Sequence, residues 1–169
     1  MENTYEIDLK TRTIYGPEFI STQRDHKAEV IYFKIDRYFD YMDLANTVCI
    51  VEYIIPGDAK RVPHIYVVPF YDTTRYINEG KMVFPWSVGG SATLKNGTIE
   101  YAIRFFRIEG NGADAKLVYN LNTLPAKSKI LSSLEANTEI MKAEYDIPVE
   151  HYEELIYQMK NNKTYWTIL

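Results

Sequence analysis

Alternation of apolar and polar residues with a period of two dominates residues 28–131, broken at short intervals by turn chemistry, and predicts a strand-rich body. Within residues 29–36, Ile31, Phe33 and Ile35 form an apolar face and the other positions turn polar toward Asp36, so one side of this strand faces a core. The run Thr47 to Ile55 is apolar on both faces except at Glu52 and ends at Pro56-Gly57-Asp58, which predicts a central strand buried on both sides. Ile65-Tyr66-Val67-Val68 lies between Pro63 and Pro69, which cannot donate to a ladder, and fits an edge or short strand. Lys81 to Trp86 is expected to form a short strand halted by Pro85, followed by an Asn96-Gly97 hairpin signal. The longest strand, Thr98 to Glu109, sets Ile99, Tyr101, Ile103 and Phe105 against Glu100, Ala102, Arg104 and Phe106. Gly110-Asn111-Gly112 closes a hairpin onto Lys116–Leu121, and Lys127–Leu131 adds a last short strand.

With no long helical pattern between these strands, the fold class expected is mainly β: an antiparallel β-sandwich of about seven strands, Ig-like or jelly-roll-like. The body spans residues 14–134. Residues 1–13 are an N-terminal arm or edge strand, on this domain or on a neighbouring protomer, because Tyr5, Ile7 and Leu9 alternate with Glu6, Asp8 and Lys10. Residues 135–169 are a C-terminal arm. After a polar, irregular or weakly helical stretch to Asp146, Val149, Tyr152, Leu155, Ile156 and Met159 fall on one face of an amphipathic helix over about residues 148–160. Its apolar face must bury against this domain or another subunit. The end of the chain, with Tyr165, Trp166, Ile168 and Leu169, is apolar and strand-like, so it needs a cover.

Composition narrows the function classes. The formal charge of -4 argues against a basic face for nucleic acid. The one cysteine, Cys49, lies inside an apolar run and is expected to be a small core residue. The N-terminus has no leader-like pattern, and no apolar stretch approaches the roughly 18 residues of a membrane span, so neither export nor a membrane partner is expected.

Candidate chemistry is sparse. His26, His64 and His151 stand singly, without metal-ligand spacing. Asp36, Asp40 and Asp43 lack the ligand pattern of a calcium loop and are interleaved with aromatics, so they fit a solvated strand-to-loop transition. Gly89-Gly90-Ser91 lacks the partners of a phosphate loop and is expected to be a turn. No nucleophile motif is present, and Asp25, Glu29 and Glu100 show no pairing signal. The expectation is a protein that is not an enzyme and has no cofactor or metal.

What stands out is fifteen tyrosines. Tyr38, Phe39, Tyr41 and Met42, with Tyr71 and Tyr76, are candidate interface residues, because a tyrosine ring offers apolar area with a hydroxyl that tolerates water. The helix face and the C-terminal aromatics join that set. Sugar stacking on Tyr38, Tyr41, Tyr71 or Tyr76 is the alternative, giving a carbohydrate-binding sandwich for host cell-wall glycan.

Several ordered strings also carry a resemblance: Asp25-His26-Lys27-Ala28-Glu29, Ile31-Tyr32-Phe33, Ile35-Asp36-Arg37-Tyr38 with Asp40, Asp43 and Leu44, Phe84-Pro85-Trp86, and Tyr119 through Ser128. Over roughly residues 14–135 the chain resembles a domain in structural proteins of phages and prophages of gut Firmicutes. It is similar there to the N-terminal domain of baseplate upper proteins and related tail or fibre attachment proteins. The resemblance implies a β-sandwich made in the bacterial cytoplasm and located in the virion, an oligomeric adaptor of tail, baseplate, neck or capsid surface. Its partners would be other virion proteins and further copies of itself.

Overall fold

The two-residue period resolves into strands throughout a computed structural model that describes residues 3–69, 77–78, 80–132 and 147–148. In chain order they are β1 (Thr4–Asp8), β2 (Thr13–Ile14), β3 (Phe19–Thr22), β4 (Val30–Asp36), β5 (Tyr38–Phe39), β6 (Met42–Asp43) and β7 (Val48–Ile54). Then follow β8 (His64–Val67), β9 (Ile77–Asn78), β10 (Lys81–Ser87), β11 (Gly97–Glu109), β12 (Lys116–Asn122), β13 (Ala126–Leu131) and β14 (Ile147–Pro148). One sheet has the order β2-β1-β4-β10-β9 and the other β14-β8-β7-β11-β13-β3, with β12 also paired to β11; β5 and β6 form a separate hairpin.

The chain is mainly β, and the two sheets share one core. Ile31, Phe33 and Ile35 of β4 and Met82, Phe84 and Trp86 of β10 meet Cys49, Val51 and Tyr53 of β7 and Ile99, Tyr101, Ile103 and Phe105 of β11. Rings bridge the layers. Phe84 stands edge-on to Phe105 at 5.7 Å, Trp86 lies 5.4 Å from Tyr101 and 5.8 Å from Tyr53, and Phe33 lies 6.3 Å from Tyr101. Each such pair contributes about 0.5–1.5 kcal/mol beyond the area it buries. Cys49 is buried here, and burial pushes its thiol well above the ordinary value.

Two pairings are parallel, β1 with β4 and β3 with β13, which corrects the expected antiparallel sandwich to a sandwich-like pair of mixed sheets. The cause is the route of the N-terminal chain. After the β1–β2 hairpin it crosses to the other sheet at β3 and returns at β4, so β1 and β4 arrive running the same way. Of the N-terminal arm, residues 3–13 place β1 between β2 and β4 and bury Ile7 and Leu9.

Two further expectations are corrected. Pro85 does not halt β10, which pairs with β4 as far as Ser87 opposite Val30. The Tyr32 N–H opposite Pro85 donates to Asn3 on the β1 side, so Pro85 sits at a non-hydrogen-bonded position where no donor is required. Asn96-Gly97 does not close a hairpin, because β10 and β11 belong to different sheets and the chain is changing layers. β8 is a short strand, one of the two forms expected for it, and lies between β7 and β14. The helix expected over about residues 148–160 lies outside the described residues apart from Pro148, which is extended and pairs with His64.

β11 organises the larger sheet. One edge is covered by β7 from Glu100 to Phe106, and the other is shared by β13 near its start and β12 near its end. At the junction Thr123 closes the gap: its N–H donates to the Ile103 carbonyl, and its Oγ1 accepts from the Ile103 N–H, both at 2.9 Å.

Candidate functional site

The feature most exposed to a partner is the β5–β6 hairpin. Phe39 pairs with Met42, so Asp40 and Tyr41 form the two-residue loop, and Asp40 takes a positive φ of 52°, a conformation aspartate tolerates better than most residues. The strand period then divides the four aromatic and sulfur side chains. Phe39 and Met42 turn inward and pack against the main core. Tyr38 is 56% exposed, and Tyr41 stands fully in solvent.

This small hairpin is clamped from both sides. Arg37 Nε and Nη2 donate to the two oxygens of Asp43 at 3.0 and 2.8 Å, closing its base, and the Leu44 N–H donates to the Arg37 carbonyl. The fork raises the Arg37 pKa, chiefly through the bond to Asp43. Asp43 also accepts from the Ala45 N–H at 3.1 Å, capping the 3-10 turn Leu44–Asn46, whose Leu44 and Ala45 are buried in the core. Arg12 lies 4.9 Å above the Phe39 ring and donates to the Asn122 carbonyl at 3.0 Å. Arg37 lies 5.1 Å from the Tyr38 ring.

Arg12 also joins the hairpin to the end of β12. Its carbonyl accepts from the Leu124 N–H at 2.8 Å, and Leu124 is itself 56% exposed. Tyr119 is half-buried beside these groups. Burial pushes its phenol above the ordinary value, with Arg12 opposing the shift and Asp40 adding to it. The Tyr119 hydroxyl is buried without a hydrogen-bond partner among the described residues. The result is a rigid projection with two exposed rings, a neighbouring exposed leucine and a charged base. That combination suits adhesion, since aromatic rings on a fixed frame lose little conformational entropy when they are covered.

Replacing Asp43 by Ala removes both bonds of the fork and the cap, and should cost about 2 kcal/mol in a chemical denaturation curve. The effect on the hairpin amides, read by hydrogen exchange, should exceed the effect on those of β7.

Of the residues singled out from sequence, the structure brings Tyr38, Phe39, Tyr41 and Met42 together and divides them between surface and core. Tyr71, Tyr76, Val149, Tyr152, Leu155, Ile156, Met159, Tyr165, Trp166, Ile168 and Leu169 lie outside the described residues. Arg12, Arg37, Asp43 and Leu124 were not foreseen. The spacing of Arg37 and Asp43 around a two-residue loop is a visible hairpin signal, whereas the contact of Arg12 depends on tertiary structure.

A groove of about 490 Å3 lies elsewhere, at the turn between β7 and β8, lined by Ile54, Asp58, Arg61, Thr98, Glu100 and Lys127 among others. Arg61 and Glu100 meet there at 2.6 Å, so much of its charge is internally paired. No group of three or more metal-capable side chains occurs among the described residues. No known family model matches the chain, and no curated protein matches it.

Proposed function

We propose that this protein is a non-enzymatic attachment module of a phage or prophage virion, an oligomeric adaptor of tail, baseplate, neck or capsid surface. In this reading it is made in the bacterial cytoplasm and works through contacts with other virion proteins and with copies of itself. The observation that carries the adhesive part is the clamped β5–β6 hairpin with Tyr41 fully exposed. The resemblance in the strings from Asp25 to Leu44 and from Tyr119 to Ser128 carries the virion part.

Tyrosines at the centre of an interface commonly cost 2 kcal/mol or more when truncated, a factor of about 30 in affinity. Sedimentation velocity over a concentration series should show the native chain self-associating. The double variant Tyr38→Ser with Tyr41→Ser should weaken association at least about 10-fold with an unchanged thermal melt. A native chain that stays monomeric at all concentrations, and is absent from particles by mass spectrometry, would refute the proposal. The same two rings favour a second reading, adhesion to cell-wall glycan. Saturable binding of wall polysaccharide that Tyr41→Ser abolishes would select it.

A further inference from the structure

β12 has an open edge. It pairs with β11, and no described strand lies on its other side. The strands that end the described sheet orders, β2, β9, β14 and β3, run for two to four residues, whereas β12 runs for seven. Folded proteins commonly guard long edges with charge or proline. Here no charged side chain occurs from Leu117 to Ala126, and the first proline after the strand begins is Pro125. The edge is also apolar. Of the nine large hydrophobic residues exposed among the described ones, Leu117 and Val118 lie on β12, Leu124 lies just beyond it, and Tyr38 and Tyr41 lie on the hairpin that Arg12 ties to its end.

The ladder fixes which backbone groups this edge offers. The Thr123 N–H donates to the Ile103 carbonyl, so these two residues behave as a hydrogen-bonded pair. Alternation then makes Phe105 with Leu121 and Arg107 with Tyr119 hydrogen-bonded pairs, and it directs the N–H and C=O of Asn120 and Asn122 away from β11. Arg12 agrees with that phase, because its Nη1 donates to the Asn122 carbonyl at 3.0 Å. Among the described residues nothing caps the Asn120 backbone in the same way.

We propose that a second copy of this chain docks on this edge through its own β12, running antiparallel about a two-fold axis at Asn120. Two copies carry the same formal charge of -4, so they approach most readily where the surface is locally neutral. The edge is self-complementary in that register. Asn120 faces Asn120 of the second copy, Tyr119 faces Leu121, Val118 faces Asn122 and Leu117 faces Thr123, while Lys116 meets Leu124, so no like charges are opposed. The two Asn120 backbones exchange a pair of hydrogen bonds across the axis, and the larger sheet continues from one copy into the other. This pairing rests on the self-association in the reading above and supplies a surface for it.

The test is a charge exchange at the axis, read by sedimentation velocity on the full-length protein. Asn120→Lys and Asn120→Asp each set two like charges opposite one another in a homodimer. Each is expected to weaken self-association at least about 10-fold, with an unchanged thermal melt because Asn120 is exposed. An equimolar mixture of the two variants should restore association, since the introduced charges then attract. If the native chain associates and both variants associate equally well, or if mixing restores nothing, the pairing at Asn120 is overturned while self-association by another surface stands. A native chain that stays monomeric would overturn both.

Discussion

Trp86→Ala is expected to lower the free energy of unfolding by about 3–5 kcal/mol, a large share of the 5–15 kcal/mol typical of a domain. Trp86 has no exposed surface and lies between Tyr53 and Tyr101, so truncation opens a cavity where the two layers meet and removes two ring contacts. Trp86→Phe should cost far less. The indole N–H is buried with no partner among the described residues, a defect that phenylalanine removes and that offsets part of the lost area. Urea denaturation followed by circular dichroism checks both variants. Equal losses for the two would refute the role given to ring packing between the layers.

Gly16→Ala should destabilise by about 2–3 kcal/mol although Gly16 lies in an exposed loop. A β-carbon there would collide with the Tyr101 hydroxyl oxygen. That oxygen cannot readily give way. Ser128 donates to the Pro17 carbonyl, which leaves Tyr101 as donor to Ser128 Oγ at 2.9 Å, and the chain of hydroxyls ties the 15–18 loop to β11 and β13. Tyr101→Phe alone loses one bond, about 1 kcal/mol. Combined with Gly16→Ala it removes the clashing atom, so the double variant should be more stable than the sum of the single losses implies. Additive losses would refute the clash. The same phenol makes the fold sensitive to alkali. Burial raises the Tyr101 pKa above 10.0, with the Ser128 bond opposing, so its stabilisation is present below that value and is lost as the pH climbs past it.

Where strands were long enough to show their period, the sequence was legible. β4, β7 and β11 bury the faces their alternation marked, and the β11–β12 hairpin follows from Gly110-Asn111-Gly112. β2 and β3 are too short, at two and four residues, for a period to declare itself, so the detour through β3 that leaves β1 parallel to β4 was not visible. Pro85 misled because the rule against proline in a ladder concerns only positions that must donate. For the site, four adjacent residues announced the aromatic cluster, but the division into exposed and buried members came from the turn at Asp40. The clamp by Arg12 involves a residue 27 positions before Phe39 that meets it only in the folded chain.

The pairing of β3 with β13 sets a timetable for synthesis. β3 is complete by Thr22, but its partner begins at Ala126, more than a hundred residues later. β7 likewise waits for β11 to cover its second edge. A chain emerging from the ribosome can therefore assemble β1, β2, β4 and β10 while β3 remains without a neighbour. The larger sheet takes in β3 only once β13 has been made, and during that interval β3 is an unpaired strand edge exposed to misassembly.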